Sequence, residues 1–341
     1  MPVIIGLVVL LAFLCGAVAV ALVCFWRWRR AAYARAGSGT LIAQTRRGPV
    51  EYAISGRGPT VLLLHGGAGG WDHGLALGED LTIPKEFTLL APSRCGYLRT
   101  PLATGQTPAD AADAMAALLD ELGIAEAAVV GISGGGPTAL QLALRHPDRV
   151  QALVMLVAVS RRFTMPRRST QGIQGRIFFS NYGMWFLDLA CWLVFVQVAR
   201  WRLGLIARWF LKATETLDEQ HIKQRAADVM KHPEQARWLR ELIAYIFPLS
   251  LRKVGMNNDL EQFAEIDDYP IHRIKCPTLV IHGRHDGNVP LTHGTFVADN
   301  VPGAELYVVE GCGHLVWLSE HAGEMRARIM AFLNDACRAA R

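Results

Sequence analysis

The sequence predicts an α/β fold, in which a mostly parallel sheet with helices on both faces holds an inserted helical cap and follows one transmembrane helix. Three observations support this prediction. Short β-like runs alternate with helix-like runs on both sides of a long interruption, which is typical of a parallel sheet covered on both faces. The interruption, residues 161–271, is rich in Trp, Phe and Arg and contains no clear β run. An uncharged apolar stretch, residues 3–26, lies near the N-terminus.

The apolar stretch is long enough to cross a bilayer. At about 1.5 Å per residue it reaches roughly 36 Å, against a hydrocarbon layer of about 30 Å. A signal peptide is the alternative, but no basic segment precedes Val3 and the stretch exceeds the usual signal-peptide core. Basic residues, which stay on the cytoplasmic side, follow at Arg27, Arg29, Arg30 and Arg35. We therefore expect residues 1–30 to be a single-pass membrane anchor, with the main domain in the cytoplasm.

Residues 31–46 are small and polar, which predicts a linker between the anchor and the main domain. Beyond the linker, residues 47–160 and 272–341 are predicted to form the α/β core, and residues 161–271 the cap. Removal of residues 1–30 is therefore expected to leave a more soluble protein whose main domain keeps its activity.

The elements of the core follow from local patterns. The predicted strands are residues 50–54, 60–64, 87–91, 127–132, 150–157, 278–281 and 305–309. The run at 150–157 is apolar without alternation, so it is expected to be buried on both faces. The predicted helices are residues 108–122, 137–146 and 319–336. The first begins with a capping Thr107 and an early acid, Asp110, and stops at Gly123, whereas Pro147 closes the second.

Composition excludes several classes of partner. The chain has 341 residues, a formal net charge of +5 and seven cysteines. No basic cluster alternates with aromatic residues, so nucleic acid is not expected as a partner. The cysteines are odd in number and form no CxxC pair, so neither a zinc site nor a disulfide framework is expected, and reduced thiols suit the cytoplasm. No metal ion or organic cofactor is expected.

The segment Gly131-x-Ser133-x-Gly135 lies between a predicted strand and a predicted helix. This is the position of a nucleophile elbow. Glycines are needed there because the tight turn leaves no room for Cβ atoms beside the serine. The N-terminus of the following helix favours negative charge near that serine. An ordinary glycine-rich turn is the alternative, so the assignment depends on whether other loops supply Ser133 with a base, an acid and an oxyanion hole.

Three further loops supply candidate partners. His65-Gly66-Gly67 ends a strand, and the backbone N–H groups of Gly67 and Gly134 are candidates for an oxyanion hole. Asp286 follows another strand, where an Asx turn is the alternative. His314 follows the last strand, where a structural histidine is the alternative. Ser, Asp and His in this order, each beyond the carboxyl end of its own strand, predict one site at one edge of the sheet.

With these four loops the chain resembles the α/β-hydrolase superfamily, most closely its esterase-like members with a helical cap. The resemblance covers about residues 49–157 and 277–333. The segment PSRCGYLRTP, residues 92–101, also resembles a loop of the superfamily, although members often have an Asp where Ser93 stands. The residues implied as the catalytic triad are Ser133, Asp286 and His314, and those implied as the oxyanion hole are Gly67 and Gly134.

The resemblance implies two-step acyl transfer on a carboxylic ester, in which Ser133 attacks a carbonyl carbon and His314 moves the proton. A serine at the elbow argues against epoxide hydrolases and haloalkane dehalogenases, which use aspartate. Carbon–carbon bond hydrolases of the superfamily use the same triad and stay open. A proline-iminopeptidase-like aminopeptidase usually has proline where Ala68 stands and needs acids in the cap. A non-catalytic, membrane-tethered binding protein on this fold is the alternative from a different class, although no triad member is missing.

The cap carries charge of one sign. Its basic residues between positions 161 and 212 are Arg161, Arg162, Arg167, Arg168, Arg176, Arg200, Arg202, Arg208 and Lys212. The only acid in that stretch is Asp188, which with Gln197 interrupts an apolar run that is short for a second span. Arginines beside an apolar helix suit an anionic lipid surface. We therefore expect the cap to rest on membrane lipid and to admit a lipophilic ester to an apolar pocket above Ser133, the alternative being that its aromatic residues only pack onto the sheet.

Overall fold

The computed structural model describes residues 1–81, 86–164 and 180–339. Its strands are β1 (Leu41–Thr45), β2 (Gly48–Gly56), β3 (Thr60–Leu64), β4 (Thr88–Pro92), β5 (Ala127–Ile132), β6 (Val150–Leu156), β7 (Thr278–Gly283) and β8 (Glu305–Val309). They form one sheet in the order β1-β2-β4-β3-β5-β6-β7-β8. Strands β1 and β2 run antiparallel to their neighbours, and β3 to β8 are parallel. The predicted mostly parallel sheet is therefore confirmed.

Helices cover both faces of the sheet, as predicted. The helices of the described residues are α1 (Pro2–Ala36), α2 (Trp71–Asp80), α3 (Pro108–Glu121), α4 (Gly136–Arg145), α5 (Asn181–Cys191), α6 (Val198–Thr214), α7 (Glu219–Lys231), α8 (Pro233–Ile246), α9 (Lys253–Ala264), α10 (Thr292–Asn300) and α11 (Ala322–Ala339). Side chains of β3 alternate between the faces. Val61 and Leu63 belong to the apolar core under α2 and α11, whereas Leu62 and Leu64 belong to the core under α3 and α4.

The chain departs from the sequence prediction in the region expected to be a linker, residues 31–46. Helix α1 continues to Ala36, and strand β1 follows at once. The helix continues because Ala32 and Ala36 are buried against the domain, and β1 forms because it pairs antiparallel with β2. Helices α2 and α10 are also absent from the sequence prediction, since their sequences show no clear 3.6-residue pattern.

The described part of the predicted cap is helical. We call residues 181–264 the cap: it comprises α5 to α9, with a π-helical segment, Trp192–Gln197, between α5 and α6. Of the basic residues that the sequence singled out there, Arg167, Arg168 and Arg176 lie outside the described residues.

Two stretches of the described residues are long and apolar enough to span a membrane, Pro2–Ala36 and Asn181–Thr214. In the first, none of the most apolar window is buried in the protein, whereas 28% of the corresponding window of the second is buried. The N-terminus therefore carries an apolar helix with the length and exposure of a membrane span.

Candidate active site

The turn between β5 and α4 forces the serine into an unusual backbone conformation. Ser133 has φ of +49°, a left-handed value that is uncommon for a residue with a side chain. Its glycine neighbours are required by space: a Cβ on Gly135 would lie 2.2 Å from the carbonyl oxygen of Leu64, and one on Gly131 would lie 2.7 Å from the Cβ of Ala139. The segment therefore has the geometry of a nucleophile elbow.

The structure brings the three predicted triad residues together. Ser133 follows β5, Asp286 follows β7 and His314 follows β8, so all three lie at the carboxyl edge of the sheet. His314 Nε2 lies 3.1 Å from Ser133 Oγ, and His314 Nδ1 lies 2.7 Å from Asp286 Oδ2. Because the carboxylate accepts a hydrogen bond from Nδ1–H, Nε2 is left free to accept the serine proton.

The second oxygen of Asp286 holds the acid loop in place. Asp286 Oδ1 accepts hydrogen bonds from the backbone N–H groups of Asn288 and Val289, each at 2.8 Å. His282 Nε2 donates to the carbonyl oxygen of Val289 at 2.8 Å, which closes the same loop from the other side. The Asx turn considered as an alternative for Asp286 is thus present together with the contact to His314, one on each carboxylate oxygen.

The two predicted oxyanion-hole residues also lie together. The carbonyl oxygen of Gly66 accepts hydrogen bonds from His65 Nδ1 at 2.8 Å and from the N–H of Gly69 at 3.3 Å. Because a trans peptide is planar, this fixes the N–H of Gly67 in the opposite direction. A Cβ on Gly134 would lie 3.3 Å from the Gly67 nitrogen, and one on Gly66 would lie 3.0 Å from the Cβ of Ser133, so the two predicted glycines are neighbours beside the serine.

A cavity of about 340 Å³ opens above the serine. Its wall combines the core loops with the cap and is mostly apolar, with Ile132, Val159, Phe210, Leu242, Ile246 and Phe263 among its residues. This agrees with the apolar pocket expected above Ser133. Polar side chains on the wall, apart from Ser133 and His314, are His73, Tyr97, Thr214, Asp259 and Asn288.

A buried ion pair on this wall has no counterpart in the sequence prediction. Arg94, just after β4, donates two hydrogen bonds to Asp259 of the cap helix α9, and the Tyr97 hydroxyl donates a third at 2.6 Å. Burial, reinforced by the Asp259 carboxylate, raises the pKa of Tyr97 well above its usual value, so its hydroxyl keeps its proton. The pair joins core to cap across 165 positions, a separation at which no local pattern signals contact.

Two side chains on the wall, His73 and Trp317, have nitrogens without a hydrogen-bond partner in the described protein. Both ring nitrogens of His73 and the indole nitrogen of Trp317 are buried and unbonded. Burial lowers the pKa of His73 to about 4, so the ring is neutral near pH 7 and offers one donor and one acceptor. Since buried polar groups are nearly always bonded, these nitrogens are exceptions among the described residues.

The site also explains the missing aspartate at Ser93. The Ser93 hydroxyl donates to Glu51 Oε2 at 2.8 Å, and Arg99 Nε donates to Glu51 Oε1 at 2.7 Å. Glu51 and Ser93 are both fully buried. A carboxylate is therefore present beneath this loop, but it comes from β2.

Three further side chains of reactive type, Cys95, Cys312 and Asp267, are not suited to the chemistry of the site. Burial raises the pKa of Cys95 and of Cys312 to about 12, so neither thiol forms a thiolate near neutral pH. Asp267 is exposed and pairs loosely with Arg162 at 3.7 Å, away from the cavity wall. In the described residues no cluster of His, Cys, Asp and Glu has the arrangement of a metal site.

Comparisons with known proteins agree with this fold. Residues 59–188 match the family model described as alpha/beta hydrolase fold. The chain is similar to the solved structure of an alpha/beta hydrolase fold protein from Nakamurella multipartita, with 35% identity, a TM-score of 0.75 and coverage of 86% of this chain and 98% of that one. It is 27% identical to the hydrolase YcgS of Bacillus subtilis, over 84% of this chain and 96% of that protein. It is 28% identical to a 2-hydroxy-6-oxononadienedioate/2-hydroxy-6-oxononatrienedioate hydrolase of a Pseudomonas species, over 89% and 99% of the two chains.

Proposed function

The chain belongs to the α/β-hydrolase family, and we propose that it is a serine hydrolase that cleaves an uncharged, lipophilic carboxylic ester. The observation that carries this proposal is the linked contact of His314 with Ser133 and Asp286 on the floor of a mostly apolar cavity. A nucleophile, a base and an orienting acid within hydrogen-bond reach of one another are the requirement for activating a serine.

The proposed reaction has two steps. Ser133 Oγ forms a bond to the carbonyl carbon while its proton moves to His314 Nε2, and the N–H groups of Gly67 and Gly134 stabilise the oxyanion. His314 then gives that proton to the departing alkoxide, which leaves as the alcohol. Water, deprotonated by His314, attacks the acyl-enzyme; the bond from the acyl carbon to Ser133 Oγ breaks, His314 returns the proton to Oγ, and the carboxylic acid is released. Asp286 orients the imidazole and stabilises its charged form throughout.

The preference for an uncharged substrate rests on the charges of the cavity wall. The described wall residues include no arginine or lysine, and the nearby Arg94 is neutralised by Asp259. His73, which also lies on the wall, is neutral near pH 7 and adds no charge. An apolar molecule with a few oxygen atoms fits such a wall better than an anion does, because an unpaired buried charge is costly.

Carbon–carbon bond hydrolysis is the second candidate, and the relatives favour it. The Pseudomonas relative is named for a dioate substrate, which carries two carboxylates. The same serine, histidine and oxyanion amides serve such a reaction. The absence of an unpaired cation from the described cavity wall argues against a dioate here.

Peptide cleavage and non-catalytic binding have less support. An aminopeptidase needs a free acid in the cap to hold the substrate amino group, and the cap acid on the described wall, Asp259, is bonded to Arg94 and Tyr97. A non-catalytic binding protein does not require the strained backbone at Ser133, which is retained.

We further propose that α1 anchors the enzyme in a membrane with the catalytic domain on the cytoplasmic side. The support is the exposed apolar length of α1 and the arginines that follow it. Protease treatment of intact cells tests the orientation, since the main domain should be cleaved only after the membrane is broken.

The substrate assignment is tested with the purified full chain in detergent. We expect turnover of p-nitrophenyl esters, rising from acetate to octanoate, and a turnover of 2-hydroxy-6-oxononadienedioate at least 100-fold lower. Ser133→Ala should abolish ester turnover and labelling by a fluorophosphonate while the protein stays folded by circular dichroism. A higher rate on the dioate than on every ester would replace the ester proposal by the carbon–carbon one, and wild-type turnover in folded Ser133→Ala would contradict both.

A further inference from the structure

The outer surface of the cap displays large apolar side chains that the protein leaves uncovered. They lie on α5, α6 and the π-helical segment between them, and we call them the cap stripe: Tyr182, Phe186, Leu193, Val194, Trp201, Leu205 and Trp209. Trp201 is 85% exposed, which is extreme for the largest side chain in proteins. Contiguous exposed apolar residues of this kind mark a surface that binds another apolar surface.

The contacts of α1 fix the depth of the cap relative to that helix. Phe25 is 1% exposed, and its ring contacts Trp185 and Trp192 of the cap at centroid distances of 5.4 and 5.8 Å. Phe25 lies at the end of the uncharged apolar run, just before the first arginine, Arg27. If α1 spans a bilayer, this position lies at the boundary between hydrocarbon and headgroups, and the two cap tryptophans lie at the same level.

Polar contacts hold the cap at this level. Arg29 Nε lies 3.4 Å from Oδ2 of Asp188, an acid that is completely buried on α5. The hydroxyl oxygens of Tyr33 and Ser250 lie 2.9 Å apart and share a hydrogen bond, and the Ser250 hydroxyl also donates a hydrogen bond to the Asp188 carboxylate. Helix α1 and the cap are thereby one packed unit, so the cap cannot leave the boundary while α1 stays inserted.

The charge beside the cap stripe is smaller than the sequence indicated. Arg208 and Lys212 both pair with Glu219, and Arg162 pairs with Asp267. Arg200 and Arg202 remain, both exposed and without an ion pair in the described protein, one on each side of Trp201. Tryptophan and arginine side chains are typical of protein surfaces that contact the headgroup layer of a membrane, and this segment has one tryptophan between two such arginines.

The inner face of α6 shows that this helix does not cross the bilayer. Leu203, Ile206 and Leu211 are buried in the core under the cap, and Phe210 and Thr214 line the active-site cavity. The part of α6 that follows its kink at Arg202 has one face in the protein core and the other exposed, which suits a position in the plane of the membrane surface. The same helix therefore separates the cavity from whatever covers the cap stripe.

We propose that the cap stripe is inserted in the headgroup region of an anionic lipid leaflet, beside the point where α1 leaves the bilayer. This proposal rests on the proposed anchoring by α1. It places the active-site cavity one helix away from the lipid, so that a lipophilic ester dissolved in the leaflet is the substrate class within reach.

The test uses the full chain in nanodiscs that contain phosphatidylglycerol. The exposed native thiols are first removed, as Cys15→Ala with Cys24→Ala, and one cysteine is added at Leu205 (Leu205→Cys) and labelled with an environment-sensitive fluorophore. Glu121→Cys is the matched control, since it is exposed and precedes β5 at the opposite edge of the sheet from the cap. A third protein keeps Cys15, which lies ten residues before Phe25 on α1, and reports insertion of α1 through quenching by lipids with a nitroxide near the end of the acyl chain.

Quenching by lipids with a nitroxide near the headgroup should reduce the Leu205→Cys signal at least threefold more than the Glu121→Cys signal. Equal quenching at both positions, with strong quenching at Cys15, would show that α1 is anchored but the cap stripe is not in lipid, and would overturn the proposal. Protection of the Leu205→Cys label from both lipid quenchers and aqueous iodide would also overturn it, because the stripe would then be covered by protein. Absence of quenching at Cys15 would refute the anchoring itself.

Discussion

The nucleophile elbow and the cap are held in place by different kinds of contact. The elbow is shaped by glycines within two positions of Ser133 and by backbone hydrogen bonds of the adjoining loops. The cap is held by the bidentate pair of Arg94 with Asp259 and by the contact of Arg29 with Asp188, whose partners lie 165 and 159 positions apart. The reacting groups are thus built on short-range geometry, whereas the enclosure above them depends on long-range side-chain pairs. Mutations in the two regions should separate chemistry from stability.

The largest effect is expected in the core. In Asp286→Asn the amide oxygen can still accept hydrogen bonds from the backbone N–H groups of Asn288 and Val289. The amide nitrogen that then faces His314 cannot accept a hydrogen bond from its Nδ1–H. The imidazole then loses its orienting acid, so kcat should fall on the order of 10⁴-fold near neutral pH, the size of loss that the same change causes in serine proteases. Ester turnover and the unfolding midpoint are measured together. Asp267→Asn is the control and should keep wild-type turnover. If the Asp286→Asn variant kept wild-type turnover, another group would have to orient His314.

The next effect is expected in the cap contact, and on stability. Asp259→Asn leaves the buried Arg94 guanidinium without its counter-charge, which should cost about 3–5 kcal/mol in the free energy of unfolding. Glu310→Gln, in the exposed pair with Arg284, is the matched control and should leave the unfolding midpoint unchanged. Equal midpoints for the two variants would show that the buried pair does not hold the cap.

Low pH should reduce the free energy of unfolding through buried histidines. Burial lowers the pKa of His73 to about 4 and that of His293 to about 4, so both rings are neutral in the folded protein but take up protons when unfolded below pH 6.5. Stability from His73 is therefore complete above pH 6.5 and lost as pH falls from 6.5 to 4, by about 3 kcal/mol. His73→Phe should flatten the fall in unfolding free energy over this range, whereas the exposed His221→Gln should not. An unchanged slope in His73→Phe would show that the ring is not buried as a neutral group.

The smallest effect concerns the junction of anchor and cap, where the structure revises the boundary of the anchor. Removal of residues 2–22 leaves Phe25 and Arg29 in their contacts and should preserve the unfolding midpoint. Removal of residues 2–30 exposes the cap tryptophans and leaves Asp188 without Arg29, which should cost about 2 kcal/mol for the lost Phe25 burial alone. Unfolding in detergent compares the two proteins. If the two truncated proteins had identical unfolding midpoints, residues 1–30 would be an anchor that is structurally separate from the cap.

The same contrast explains what could be predicted from the sequence. Strands β3, β5 and β8, with the loops that carry Ser133, Asp286 and His314, are predictable because apolar runs, glycine turns and their order are local signals. Strand β1 is not, because its five residues form a strand only through pairing with β2. The contact of Arg94 with Asp259 escapes prediction because charged residues far apart in the chain give no periodic signal. The catalytic roles stay a prediction until the variants are measured.

The carboxylate beneath the loop after β4 has a consequence for how this chain can change. Glu51 of β2, whose carboxylate is buried, accepts the hydrogen bonds of the buried Ser93 and of the more exposed Arg99. An aspartate at position 93 would put two carboxylates in contact there, and loss of Glu51 alone would leave the buried Ser93 hydroxyl and Arg99 Nε without their present acceptor. Each residue is therefore tolerated only with its present partner. We therefore expect that, among proteins related to this chain, the residues at positions 51 and 93 change together rather than independently.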